Sequence, residues 1–63
     1  NNMEKNTSKI KKTKDGYSIT CDDCGECEKN RNLSTMEEAV TWFFTGSDAY
    51  TIKNNKTICY ECK

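Results

Sequence analysis

The chain has 63 residues, of which 33% are hydrophobic and 32% charged, so it has room for one domain but not for a large hydrophobic core. A domain this small needs a further source of stability, such as a metal ion or disulfide bonds. It contains no histidine, which excludes imidazole as a metal ligand or as a general base.

The charge is unevenly distributed along the chain. Residues 1–14 carry five lysines against one glutamate, a net charge of +4, so the rest of this neutral chain carries −4. We therefore divide the sequence into a basic N-terminal arm or edge strand, residues 1–14, and a folded body, residues 15–63. No run approaches the ~20 apolar residues that cross a membrane, which predicts a cytoplasmic protein with reduced thiols.

The first predicted element is a hairpin around Asp15-Gly16, because this pair tolerates the positive φ angles of a tight turn. Residues 17–21 alternate between apolar and polar side chains, which predicts a strand. The lysine-rich run 8–14 is either an edge strand or no strand at all, and residues 1–7 are expected to fray. Residues 22–32 are polar and predict a loop.

One helix is predicted over residues 35–45. Ser34 is its expected N-cap, Glu37 completes a capping box with Ser34, and Gly46 ends the helix. Trp42 lies off the apolar face of this helix. That face is formed by residues at helical spacing: Met36, Ala39, Val40, Phe43 and Phe44.

A second hairpin is predicted from residues 49–53 and 56–59 around Asn54-Asn55, since asparagines tolerate left-handed backbone angles. Together with the apolar face of the helix, the two hairpins supply the rest of the predicted core: Tyr17, Ile19, Tyr50, Ile52 and Ile58. The fold class is therefore small α+β, with two β-hairpins and one helix packed across the sheet.

The cysteines carry the clearest chemical signal. Two Cys-x-x-Cys pairs, Cys21 with Cys24 and Cys59 with Cys62, supply the four thiolates of a tetrahedral Zn²⁺ site. The odd count of five cysteines argues against disulfides, although two bridges and a free thiol remain possible. Gly25 favours Cys21 with Cys24 as the first pair, because glycine lets the backbone curl around the metal, and this leaves Cys27 unpaired.

These features resemble the small zinc-ribbon proteins encoded by bacteriophages and other mobile elements. The resemblance covers roughly residues 16–63 and rests on residues 17–25, the capped helix ending at Gly46, and the final strand leading into residues 59–62. It implies a zinc-stabilised sheet crossed by one helix, in an accessory protein of the phage or mobile element that binds another molecule in the cytoplasm of a bacterial host cell. Cys27 and the lysine-rich start depart from the pattern.

Function is predicted to be binding rather than catalysis. Four thiolates close the coordination shell of the metal, and the sequence lacks a general base, a paired nucleophile and a phosphate-binding loop, so we expect no enzyme activity and no small-molecule substrate. We also expect no membrane association.

A protein partner is the favoured prediction, because Trp42 lies off the apolar face of the helix and an acidic rim surrounds the metal site. The acidic residues predicted to bind this partner are Asp22, Asp23, Glu26 and Glu28, and Glu61 belongs to the same rim. These charges also fit an ordinary solvated loop, and Trp42 could instead pack under a neighbouring segment.

The alternative partner is a nucleic acid, bound by the basic arm. The residues predicted for this role are Lys9, Lys11, Lys12 and Lys14, with Tyr17 stacking on a base. The acidic body and the single arginine weigh against it, and a solubilising arm explains the same lysines. A third possibility is a structural subdomain of a larger assembly that binds neither partner alone.

Overall fold

A computed structural model describes residues 6–63. Residues 1–5, which contain the beginning of the predicted arm and most of the segment expected to fray, lie outside the described residues. The elements are β1 (Ile10–Thr13), β2 (Gly16–Thr20), β3 (Cys27–Asn30), the helix α1 (Met36–Phe44), β4 (Thr51–Lys53) and β5 (Lys56–Ile58). Residues 6–8 are also helical. The predicted small α+β class is confirmed, and no helix in residues 6–63 is long and apolar enough to cross a membrane.

The first sheet has three antiparallel strands in the order β1-β2-β3. In β1, Ile10 lies opposite Ile19 and is buried, whereas Lys11 and Lys12 are exposed. The lysine-rich run therefore does form an edge strand, and its one apolar residue contributes to the core. Residues 10–13 are thus part of the same sheet as the body.

The turn between β1 and β2 lies one residue earlier than predicted. Thr13 pairs with Gly16, so Lys14 and Asp15 form the two-residue loop and Gly16 begins β2. Gly16 has φ +109°, and a Cβ atom at this position would clash with the carbonyl oxygen of Asn30. Gly16 is therefore needed for the close approach of β3 as well as for the turn.

Strand β3 corrects the prediction that residues 22–32 form a loop. It pairs with β2 over Cys27–Asn30, with Cys27 opposite Thr20 and Glu28 opposite Ile19. Its side chains are polar and lie at the edge of the sheet, so the strand has none of the hydrophobic alternation that identifies a half-buried strand in a sequence.

Helix α1 begins at Met36, one residue later than an N-cap at Ser34 would give. Thr35, not Ser34, is the N-cap, and its hydroxyl accepts a hydrogen bond from the amide of Glu38. The Glu38 carboxylate accepts bonds from the amides of Thr35 and Ser34, so Glu38 replaces Glu37 in the capping box. The sequence Ser-Thr-Met-Glu-Glu allows two overlapping boxes, and the second one forms.

The helix packs across β1 and β2 and encloses the core between them. Phe43 is 1% exposed and meets the ring of Tyr50 edge-on, with ring centroids 6.2 Å apart. Most of the predicted core is confirmed, but Met36 and Phe44 are only half-buried and Ile52 lies outside the main cluster. The prediction omitted several buried residues: Ile10, Cys21, Ala49 and Cys59.

The second hairpin forms around the predicted Asn54-Asn55 turn, but its strands are shorter than the predicted 49–53 and 56–59. Strands β4 and β5 pair as a separate two-stranded sheet, and both residues of the turn have left-handed backbone angles, with φ 51° at Asn54 and 65° at Asn55. Each strand has only three residues, so this sheet depends on its surroundings for stability.

Candidate metal centre

The first cysteine pair lies in the loop that joins β2 to β3. Cys21 follows directly after β2, and its amide donates to the carbonyl of Glu26, which closes the loop at 2.8 Å. The amide of Gly25 donates to the carbonyl of Cys21, and Gly25 has φ +77°. We call this segment, residues 21–25, the first knuckle. Its tight turn directs both cysteine sulfurs to one side.

The second cysteine pair follows directly after β5. Residues 59–62 form a turn in which the amide of Cys62 donates to the carbonyl of Cys59 at 3.1 Å. We call this segment the second knuckle. The prediction that each hairpin leads into one cysteine pair is confirmed, because β2 ends at Thr20 and β5 ends at Ile58.

Hydrogen bonds through Asp22 and Thr57 join the first knuckle to β5, the strand that leads into the second knuckle. The amide of Asp22 donates to the carbonyl of Thr57, and the amide of Thr57 donates to the Asp22 carboxylate, both at 2.7 Å. The amide of Cys59 also donates to the sulfur of Cys21, at 3.4 Å. Thr57, which no sequence motif singles out, is only 2% exposed, so its amide is shielded from water, whereas Asp22 lies at the surface.

The structure brings together the four predicted ligand sulfurs. Cys21 Sγ lies 3.8 Å from Cys62 Sγ, Cys24 Sγ lies 3.8 Å from Cys59 Sγ, and Cys59 Sγ lies 3.6 Å from Cys62 Sγ. All four sulfurs lie within 4.8 Å of one another and could hold a metal ion. These spacings are far longer than the ~2.05 Å bond of a disulfide, and all five cysteines are free thiols.

The amide groups around the cluster favour a thiolate at Cys21. The amide N–H of Cys24, 3.5 Å from the sulfur, and then that of Cys59 lower the pKa of Cys21 to about 6. By contrast, hydrogen bonding to the sulfur of Cys59, followed by burial, raises the pKa of Cys62. Four thiolates cannot share so small a volume without a cation, because their charges repel one another. The arrangement is therefore suited to a metal ion that takes the place of the thiol protons.

Cys27 lies outside the cluster, as predicted. It is exposed, and it belongs to β3 opposite Thr20, which is also exposed. The choice of Cys21 with Cys24, rather than Cys24 with Cys27, agrees with the sulfur positions.

The residues predicted to bind a protein partner lie in different local environments. Trp42 is 56% exposed, and its indole N–H donates to the Glu28 carboxylate at 3.2 Å. Glu26 lies beside the metal centre, where its carboxylate and that of Glu61 come within 4.8 Å of Cys59 Sγ. Asp23 is exposed. The Asp22 carboxylate binds the Thr57 amide, so Asp22 has a structural role that the sequence did not indicate.

Only some of the residues predicted to bind a nucleic acid are exposed to solvent. Lys11, Lys12 and Lys14 are exposed, whereas the Lys9 ammonium donates to the carbonyl of Asn55 at 2.8 Å. Tyr17 is 5% exposed and belongs to the core, and the Lys12 ammonium lies 5.3 Å from the centre of its ring. The Tyr17 ring is therefore not open to stacking on a base, which corrects that part of the prediction.

Comparison of the chain with protein-family models, with curated proteins and with solved structures finds no match. The resemblance to phage and mobile-element zinc ribbons therefore stays a prediction from the motif. The fold, with its four clustered cysteines, is consistent with a zinc ribbon.

Proposed function

We propose that this chain is a non-catalytic zinc-binding module of a phage or similar mobile element, which binds and modulates a host or regulatory protein. The observation that carries the proposal is the spacing of the cysteine sulfurs, 3.6 to 3.8 Å for three of the six pairs and within 4.8 Å for all of them. A tetrahedral ion with zinc–sulfur bonds of about 2.3 Å separates its ligands by about 3.8 Å. The cluster therefore has the dimensions of a four-thiolate zinc site.

The donor set supports a structural rather than a catalytic metal. Tetrahedral four-sulfur sites take zinc or iron, and two Cys-x-x-Cys pairs at this spacing are typical of structural zinc. A catalytic zinc ion has three protein ligands and an open position, whereas four cysteines would leave none. Five free thiols also suit the reducing cytoplasm of a bacterial host cell.

The exposed indole of Trp42 supports a protein partner. Tryptophan is the residue type most enriched among interface hot spots, and more than half of this side chain is open to solvent. Its hydrogen bond to Glu28 holds the indole in one orientation, which reduces the entropy lost on binding.

Elemental analysis of the full chain, purified with a reducing agent, tests the metal. We expect one zinc ion per chain. Iron in the same amount would correct the identity of the metal and would be visible as thiolate-to-iron absorption. A chain without stoichiometric metal would contradict the proposal.

Affinity capture from bacterial lysate tests the partner, with the zinc-loaded chain as bait beside two variants. We expect Trp42→Ala to weaken the captured complex at least about thirtyfold, because hot-spot truncations cost about 2 kcal/mol or more. Lys11→Gln, on the exposed face of β1, should have no effect.

The nucleic-acid alternative predicts the reverse pattern. Lysine substitutions would then weaken binding, and the slope against log[salt] would be about 0.7–0.9 for each phosphate neutralised. Point substitutions are required here, because deletion of residues 1–14 would remove β1 and the buried Ile10 from the core.

A further inference from the structure

A groove of about 890 Å³ lies between β3, helix α1 and the second knuckle. Every charged residue that lines it is acidic, and within residues 6–63 no lysine or arginine contributes to its walls. The acidic residues are Glu26, Glu28, Glu37, Glu38 and Asp48. The groove therefore carries a concentrated negative charge in a chain whose net charge is zero.

Aromatic side chains line the same groove. Trp42 and Tyr60 are the two large hydrophobic residues exposed in the described part of the chain, at 56% and 48%, and both contribute to its walls. Tyr50 contributes from the core side, where burial and then the charge of Glu28 raise its pKa to about 12. The groove thus combines uncharged aromatic rings with carboxylates.

This combination fits a guanidinium group better than any other common ligand group. Guanidinium stacks on aromatic faces and forms paired hydrogen bonds with carboxylates, whereas a compact, strongly hydrated ammonium does so less well. Phosphate groups would be repelled by the same carboxylates, which disfavours a nucleic acid at this site.

The length of the groove favours a polypeptide over a small molecule. Glu37 lies in the first turn of α1, and Asp48 lies beyond the end of this nine-residue helix. These two carboxylates come from opposite ends of the helix, which rises roughly 10 Å between Glu37 and its last residue, Phe44, at 1.5 Å per residue. A single side chain does not reach both, but an extended segment with arginines several residues apart does.

We propose that this groove binds an extended segment of the partner protein that carries two or more arginines, with one guanidinium group against Trp42. The inference rests on the proposed function, and it specifies the chemistry of the partner. Because Glu26 lies two residues after Cys24 and Tyr60 directly follows Cys59, the metal centre also positions two walls of the groove.

The test uses the zinc-loaded full chain and a capped nine-residue peptide of glycine and serine that contains three arginines. Trp42 is the only tryptophan, so its fluorescence reports on the groove directly, and calorimetry gives the stoichiometry. We expect saturable one-to-one binding, weaker with a lysine peptide and absent with a glutamate peptide. Chelation of the metal should abolish it.

Two matched acid-to-amide variants separate specific binding from general attraction. Glu28→Gln should weaken binding of the arginine peptide at least about fivefold, since it removes one charge from the groove and alters the support of the indole. Asp15→Asn removes the same charge from the exposed β1–β2 turn and should change the affinity less than about twofold.

Several results would overturn the inference. These are equal effects of the two variants, tighter binding of an oligonucleotide of the same length, and self-association of the chain in place of peptide binding. If lysate capture depends on Trp42 but the arginine peptide does not bind, the arginine inference fails and the proposed function stands. If the chain holds no zinc and captures no partner, the proposed function itself fails.

Discussion

The two knuckles share the Cys-x-x-Cys sequence pattern, but the secondary structure that flanks them differs. The first lies in the loop between two paired strands of the three-stranded sheet, where the bond from the Cys21 amide to the Glu26 carbonyl continues the pairing of β2 with β3. The second follows a hairpin of three-residue strands, and the bond from the Cys62 amide to the Cys59 carbonyl closes its turn. The first knuckle therefore has a paired strand on both sides, whereas the second has one on one side.

The polypeptide and a bound metal ion would therefore stabilise different parts of the chain. The β1–β3 sheet and helix α1 contain most of the core cluster, so they fix the positions of Cys21 and Cys24. The second hairpin contacts this unit through the junction at Asp22 and Thr57, through the bond from Lys9 to Asn55 and through the sulfurs. A bound metal ion would therefore stabilise the C-terminal hairpin more than any other part of the chain.

Removal of the metal gives the largest expected effect. Structural zinc contributes on the order of 10–16 kcal/mol in small zinc-finger peptides, more than a core of this size supplies. We expect a strong chelator to abolish the near-ultraviolet circular dichroism. Amide exchange during a chelator titration should show that β4 and β5 lose protection before β2 does. Unchanged dichroism, or simultaneous loss in both sheets, would remove the distinction between the two halves.

Substitution of one ligand from each knuckle gives the next largest effect. Cys21 is 1% exposed and its sulfur accepts two amide hydrogen bonds, whereas Cys62 is half-buried near the end of the second knuckle. We expect Cys21→Ser to weaken metal binding at least about tenfold more than Cys62→Ser, because water can replace the outer ligand more easily. Competition with a chromophoric chelator measures both affinities. Equal losses of metal affinity would show that the two knuckles contribute equally to metal binding.

The junction between the halves gives an intermediate effect. Asp22→Ala removes the acceptor of the buried Thr57 amide, and an unpaired buried amide costs about 1–3 kcal/mol. We expect the free energy of unfolding of the metal-loaded chain to fall by about 1–2 kcal/mol in a denaturant titration. Asp22→Asn, which keeps an acceptor oxygen, should lose less. Asp23→Ala, next in sequence and exposed, should change stability by less than about 0.5 kcal/mol.

The four-cysteine cluster could be predicted from sequence because its signal is local. Spacing within each Cys-x-x-Cys pair fixes the two sulfurs of a knuckle, and the turn signals before the pairs place both pairs after hairpins. The signal at Asn54-Asn55 marks the observed turn, and that at Asp15-Gly16 lies within one residue of it. The helix was predicted to within one residue at each end for the same reason, since its capping residues and apolar spacing are local features.

Features that depend on contacts distant in sequence could not be predicted. Strand β3 has polar side chains and is recognised only by its pairing with β2. The junction at Asp22 and Thr57 joins residues 35 positions apart, and neither residue type indicates such a bond. The groove likewise combines side chains from β3, α1 and the second knuckle, so its uniform charge emerges only when these elements pack.

The smallest expected effect concerns the residue that follows the second cysteine of each knuckle. Gly25 has φ +77°, and a Cβ atom added there would have no neighbouring atom within 4 Å, so Gly25→Ala would incur backbone strain alone, roughly 1 kcal/mol. Gly25→Asn should cost less, because asparagine tolerates left-handed angles. The corresponding residue of the second knuckle is the exposed Lys63, and Lys63→Ala should leave stability within about 0.5 kcal/mol. Denaturant titration of the three metal-loaded variants provides the measurement. A loss with Lys63→Ala as large as that with Gly25→Ala would mean that the second knuckle has backbone demands of its own, and that the metal does not supply its shape alone.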